Sequence, residues 1–364
     1  MSNLKSHIST IKHLFDSNAL WLSMLIGVLG YKLFLPLSPL LPWLIFFMLF
    51  FTFCKINPLD LRLHRWHWVV LCTQIGLAIG IYAAVIHWTG NTILAQGLML
   101  CFIMPTATAA PIIAGKLGGS IQNLTTFTLL SNFATSLIVP AFFPLINQNV
   151  PFSIFSFQFA ETFWPAFLLI LSRIAPLLVF PFFAAWLLRL TYNWYQRKNY
   201  SPSPDGKGRG EAPREFVLST RLAVIPFYLW VASIIILSAV VTETVISNFE
   251  FQISNILILL VASFFACLVQ FGLGKLIGYY LPAPSKGRDY QDVLINPAAA
   301  PKTMAGVSSI TAGQAFGQKN TSLGVWMAQM FLDPMSALGA AAYIIWQNLF
   351  NSAQLTVAAH AKSE

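Results

Sequence analysis

Met104-Pro105-Thr106-Ala107-Thr108-Ala109-Ala110-Pro111 interrupts an otherwise apolar run, Ile93 to Gly115, with two prolines six positions apart. A proline inside a helix removes a backbone hydrogen bond and clashes with the preceding turn, so a span bearing two is expected to be broken. A second interruption lies far along the chain. Ala312 to Gly324 reads AGQAFGQKNTSLG, a polar, glycine-bearing stretch in the middle of another apolar run. Taken singly, the first reads equally well as a proline kink and the second as a polar helix contact. Taken together they fall at equivalent places, the fourth span of each half. Broken helices at corresponding positions of two repeats point to a transporter binding site, because their freed amides and carbonyls can hold ions or substrate.

The composition agrees with a lipid-embedded chain. Of 364 residues, 57% are hydrophobic and only 9% charged, against roughly 25% charged in soluble domains. Disorder, a coiled coil, a disulfide scaffold and a soluble enzyme are excluded on that ground. A β-barrel is excluded because segments such as Ile256 to Val269 are apolar on every side rather than alternating. The net charge of +9 would suit a nucleic-acid partner only if the basic residues clustered, and they lie in alternate loops. Cys54, Cys72, Cys101 and Cys267 have no CxxC spacing and are expected to be buried small apolar residues. The mostly polar residues before the first span carry no cleavage pattern, and no signal peptide is expected.

Spans are expected near Ala19 to Leu35, Leu40 to Phe53, His67 to His87, Ile93 to Gly115 and Ile121 to Ile146. Five more follow: Ile174 to Leu190, Leu222 to Ile246, Ile253 to Leu281, Thr303 to Leu332 and Met335 to Leu355. Phe155 to Ser172, with Glu161 and Pro165, is expected to lie along the interface. Lys55, Arg62, Arg65, Lys116, Arg189, Arg197, Lys198, Lys286 and Arg288 all fall in loops of one parity, and the intervening loops carry almost no basic residues. The positive-inside rule then places both termini in the cytoplasm and the protein in the plasma (inner) membrane. The expected architecture is an all-α integral membrane protein of ten helices in two inverted five-helix repeats. Its expected parts are a cytoplasmic tail (1–18), a first repeat with interfacial and sixth helices (19–195), a cytoplasmic linker (196–215), four further helices (216–355) and a second tail (356–364).

The MPTATAAP stretch with the polar fifth span ending in Val139-Pro140, and the GQKNTSLG stretch with the final span, resemble the crossing helices of the bile acid/sodium symporter family. The short second span after Pro42, running into Cys54-Lys55-Ile56-Asn57-Pro58, and Gln74 in the third span also sit where that family has comparable features. The resemblance implies a core domain and a panel domain, and sodium-coupled import of organic anions. It also implies two sodium sites, and here the chain departs. Where the family has Ser-Asn after the first crossing, Ala110 and Pro111 offer no side-chain oxygen. Where it has a Glu and then a Gln before the Asn, Ala315 and Lys319 precede Asn320. Gln74 and Thr128 remain as polar ligands, and a one-residue shift makes Gln314 or Gln318 the surrogate. Sodium is therefore a doubtful cofactor, and no other is expected.

Lys319 is the residue that most needs a reason, since a lysine at mid-span costs roughly 2.5 to 3.5 kcal/mol on insertion scales. No carboxylate is placed at that depth. Asp333, if the intervening stretch is helical, lies about 21 Å away. Carbonyls at a broken half-helix end, the Gln74 and Asn320 side chains, or an anionic substrate are the candidate partners. Lys319 is expected to occupy the place of a sodium ion as a tethered cation; a lysine that merely points into water is the plainer alternative. The candidate site is thus Lys319, Asn320, Gln318, Gln314, Gln74, Thr108 and Thr128, with Pro105, Pro111 and Gly317 marking the breaks.

Trp66, Trp68, Trp88, Trp194 and Tyr343 are expected in an interfacial aromatic belt. The expected function is secondary transport of a small organic anion by alternating access, with membrane lipid as surroundings and no nucleic acid. The rival transporter reading resembles the auxin efflux carriers, which share the ten-helix plan and are expected to work without sodium. An integral membrane enzyme is disfavoured: all six histidines lie at termini or span ends, and HExxH and GxSxG are absent. Substrate, direction of transport and oligomeric state are not legible.

Overall fold

The computed structural model describes residues 19, 21–56, 61–146, 157–198, 216, 222–283 and 300–360. The N-terminal tail, most of the expected linker and the last four residues lie outside them. The described chain is helical, with no strand beyond one isolated bridge. Helical residues 21–29 and Tyr31–Phe34 lead through a 3-10 turn, Leu35–Leu40, into α1 (Leu41–Phe53). Then come α2 (Arg65–Thr89), α3 (Thr92–Ile103), α4 (Ala110–Lys116), α5 (Ile121–Ile146), α6 (Phe157–Leu178) and α7 (Phe180–Lys198). The last set is α8 (Ile225–Tyr280), α9 (Ala300–Gly317), α10 (Thr321–Phe331) and α11 (Ala337–His360).

The protein is an all-α integral membrane protein. Six helical stretches among the described residues are long and apolar enough to cross a bilayer: Tyr31–Phe53, Arg65–Thr89, Ile121–Ile146, Phe163–Lys198, Ile225–Ser247 and Ile253–Tyr280. Four of the ten expected spans, the first, fourth, ninth and tenth, do not stand out by this measure, and two of these four are broken. The expected fourth span is divided into α3 of 12 residues and α4 of 7, and the expected ninth into α9 of 18 and α10 of 11. Neither piece of either span is a simple lipid-facing rod.

Two expected boundaries shift. The described part of the segment Phe155 to Ser172 forms no separate element: α6 runs on through Leu178, packs on α5, and is followed after one residue by α7. Helix α11 continues to His360, into the stretch expected as the C-terminal tail. Trp66 and Tyr343 are fully buried rather than in a belt, while Trp68, Trp88 and Trp194 are exposed. Cys72 is likewise exposed, unlike the other three cysteines.

Helix α8 is 56 residues long, which would span about 84 Å if straight. Its contacts show two legs. Ser233 lies 3.5 Å from Ser322 and Thr244 accepts from Gln329, so the first leg follows α10. Asn255 accepts from Asn91 and Gln270 donates to the Cys101 carbonyl, so the second leg follows α3. The α10 end and the α3 start are tied by Asp333 N–H donating to Gln96. The chain therefore reverses between Thr244 and Asn255.

Small residues set how closely the helices approach. A Cβ on Gly274 would stand 2.4 Å from the Ala312 carbonyl oxygen, and one on Gly278 2.1 Å from that of Ser308. This is a small-xxx-small seam, which lets α8 and α9 touch backbone to backbone. Gly339 on α11 meets Gly97 on α3 in the same way, at 2.2 Å. These contacts bring α3, α8, α9 and α11 around the two helix breaks.

Candidate functional site

Helix α3 stops at Ile103 and α4 starts at Ala110, where Pro111 is tolerated because a first-turn amide needs no intrahelical acceptor. Helix α9 stops at Gly317 and α10 starts at Thr321. The two breaks pair with each other. Thr106 and Lys319 form an antiparallel bridge, flanked by Ala107 N–H donating to the Gln318 carbonyl (3.0 Å) and Asn320 N–H donating to the Pro105 carbonyl (2.8 Å). Backbone groups freed by Pro105 and by the α9 terminus thus satisfy one another, which a buried break requires.

Side chains from three helices, and that of Thr106 in the first break, fasten this crossing. Thr106 N–H donates to Ser131 Oγ on α5 (3.1 Å), and Thr106 Oγ1 donates to the Ala315 carbonyl (2.7 Å). Gln74 Nε2 on α2 donates to the Met104 carbonyl (3.0 Å). Tyr343 Oη on α11 donates to the Gly317 carbonyl (2.8 Å), and Gln347 Oε1 accepts from Lys319 N–H (2.9 Å). A Cβ on Gly317 would meet the Phe271 ring at 2.4 Å, so glycine is needed there for closeness.

Lys319 is 1% exposed. Its Nζ donates to the Phe102 carbonyl at 3.1 Å and lies 4.9 Å from the Phe316 ring centroid. Phe102 is in the last turn of α3, where helix carbonyls lack intrahelical partners and the dipole is negative, so a cation is favoured there. The partner is therefore a half-helix end, one of the three sequence-level candidates. Gln74 is engaged elsewhere, and Asn320 Oδ1 accepts from Leu323 N–H as the α10 cap.

The remaining candidates separate. Gln318 is buried at the bridge through its backbone, and Thr108 is half-buried in the first break. Thr128 Oγ1 donates to its own helix at Leu124, and it is Ser131, three residues on, that reaches the crossing. Gln314 Nε2 turns away to Gln354 on α11. Ala315 takes part through its carbonyl; Ala110 is fully buried in α4. Thr106, Ser131, Gln270, Tyr343 and Gln347 bond at or beside the crossing and were missed by the sequence reading. Only the proximity of Thr106 to Pro105 carried a local sign.

Where α2 begins, His67 Nδ1 accepts from His64 N–H (2.9 Å), so its Nε2 is the donor to the Asn123 carbonyl (3.0 Å). This joins α2 to α5, the helices that deliver Gln74 and Ser131. Just outside the span, burial holds the His64 imidazole below its usual range, against an opposing hydrogen bond with Asn123 and with Arg62 adding to the lowering. No group of metal-ligating side chains occurs among the described residues.

No protein-family model matches the chain, and no curated protein matches it in sequence.

Proposed function

We propose that the chain is a secondary active transporter that moves a small organic anion by alternating access, with its site where the two broken helices cross. The observation that carries this reading is the buried bridge between Thr106 and Lys319, where both helices are interrupted at once. Interrupted helices are tolerated in a membrane where they line a cavity or are held by protein, and here they bring a lysine to the junction. The α10 N-terminus, capped by Asn320, and the Lys319 ammonium both favour negative charge.

The finer architecture belongs to the same proposal: ten crossings in two inverted five-helix repeats, a core carrying both breaks and a panel beside it, with both termini cytoplasmic in the inner membrane. The matched breaks in α3–α4 and α9–α10 support it. The positions at which the resemblance implies sodium ligands do not favour that ion. Ala110, Pro111 and Ala315 offer no side-chain oxygen, and the Lys319 ammonium already takes a half-helix carbonyl. That observation favours a second reading, a sodium-independent carrier resembling the auxin efflux carriers. A cation drives a conformational change only through different affinity for the two states, so a lysine fixed at the junction must act by moving between partners.

A thermal-stability screen of the purified protein against small mono- and dicarboxylates and a bile acid tests the reading. At least one anion is expected to raise the wild-type Tm saturably and to lose that effect in Lys319→Gln. An equal shift in both proteins, or none across the panel, would contradict it.

A further inference from the structure

Helix α11 carries a stripe of polar side chains that leads away from the crossing. Tyr343, Gln347 and Asn351 are spaced four apart and share one face, with Gln354 a turn beyond. The stripe touches the end of α9 and the break that follows it: Tyr343 bonds Gly317, Gln347 bonds Lys319, and Gln354 Oε1 accepts from Gln314 Nε2 at 3.3 Å. Exposure is 0% at Tyr343, 8% at Gln347 and 5% at Asn351, and Gln354 is half-buried. Two oxygens in this seam, Gln314 Oε1 and Asn351 Oδ1, are buried with no partner in the protein. A buried amide oxygen without a donor costs free energy, and leucine or alanine would fill the space without that cost.

We infer that this amide stripe is a water-filled access route joining the C-terminal end of α11 to Lys319, with water donating to the Gln314 and Asn351 oxygens. Water fits the chemistry better than a cation. Each amide offers both donor and acceptor, which a held water needs, and no carboxylate belongs to the stripe to offset a second positive charge beside Lys319. The route is closed at the other end. Beyond Tyr343, Ala340 is fully buried and Gly339 packs directly on the Gly97 backbone. Along α11, Lys319 is thereby reached from the C-terminal side and not from the N-terminal one. The titratable groups facing Lys319 and Tyr343 are the Cys101 and Cys267 thiols, so no fixed opposite charge competes with solvent for the lysine. The inference deepens the crossing-site reading by naming the side from which that site is reached, and its geometry is tested without any transport.

Asn351→Cys and Leu349→Cys are made in the full chain, placed in nanodiscs and exposed to a membrane-impermeant anionic methanethiosulfonate, with labelling read at each site by mass spectrometry. Leu349 sits at the same depth on the opposite, exposed face. Cys at 351 is expected to label at least tenfold faster than Cys at 349, and Gln354→Trp to slow it several-fold by plugging the entrance. Equal labelling at 351 and 349, or no effect of Gln354→Trp, would overturn the inference. Hydroxyl-radical footprinting of the unmodified chain serves as a second measurement. Tyr343 is expected to oxidise at the end of the water file, while the intrinsically more reactive Trp66, equally buried, stays protected; the reverse would overturn the route. Because neither measurement uses a substrate, failure here leaves the crossing-site proposal to its own test.

Discussion

Gly278→Ala tests whether the α8–α9 seam is as tight as the backbone geometry requires. The added Cβ would lie 2.1 Å from the Ser308 carbonyl oxygen, 2.6 Å from its carbon and 2.9 Å from the Ala312 Cβ. Two of those three atoms are backbone, so no side chain can swing aside. The helices must part by about 1 Å, which forfeits a quarter to a half of the dispersion energy of each pair at the seam. Overpacking of this kind costs about 1 to 3 kcal/mol. Ser308 cannot shift freely either, since its Oγ accepts from Ala283 N–H (2.9 Å) and donates to the Ala283 carbonyl (3.2 Å). Gly272 on the same leg is the control. Nothing lies within 4 Å of a Cβ built there, so Gly272→Ala is expected to be neutral or stabilising by up to about 1 kcal/mol through helix propensity. Reversible unfolding in mixed micelles, followed by tryptophan fluorescence, reads the difference. Gly278→Ala is expected about 1 to 3 kcal/mol below Gly272→Ala, since the helix-propensity gain is common to both. Two variants within about 0.5 kcal/mol of each other would refute the close contact, and with it the tight packing of α9 on α8.

Tyr343→Phe keeps the ring and deletes the hydrogen bond to the Gly317 carbonyl; a loss of about 0.6 to 1.7 kcal/mol is expected in the same unfolding assay, and no loss would remove Tyr343 from the crossing. His64 binds its proton less readily in the folded chain than its usual value of 6.5, so the unfolded chain takes up more protons below that pH. Stability is therefore complete above about pH 6.5 and falls with acidification; a Tm profile from pH 7.5 to 5 should flatten in His64→Gln, and an unchanged slope would assign the effect elsewhere. Sodium, titrated against potassium at equal ionic strength, is expected to leave the wild-type Tm unchanged and to shift that of Lys319→Gln, where the cation place is vacated. A saturable wild-type shift by sodium alone would show that a sodium site survives.

Both helix breaks were legible because prolines and a polar run inside apolar sequence are local signals. Lys319 was legible for the same reason, a charge where lipid-embedded helices avoid one. What holds the crossing was not, since Phe102, Gly317 and Pro105 act through backbone carbonyls, and a carbonyl carries no sequence signature. Ser131 was missed in favour of Thr128 because both are hydroxyl residues on α5, and only the rotation of the helix decides which one faces Thr106. Trp66 and Tyr343 misled in a different way: an aromatic residue near a span end reads alike whether it meets lipid headgroups or plugs a core. The glycine spacing at Gly274 and Gly278 could be seen in the sequence, but it names no partner helix. The reversal within α8 was legible, because Glu243 and Glu250 interrupt the apolar run between the expected spans Leu222 to Ile246 and Ile253 to Leu281.

The central claim is that the Thr106–Lys319 crossing is where an organic anion is held and moved. Counterflow in proteoliposomes tests it most directly: vesicles loaded with an excess of the anion found by the stability screen are diluted into trace labelled anion, and accumulation is compared between wild type and Lys319→Gln. Transient accumulation in the wild type, reduced at least tenfold in the variant at equal protein incorporation and retained folding, is the predicted result. Equal accumulation by both proteins would place the anion site elsewhere, and absence of accumulation in the wild type would contradict transport itself.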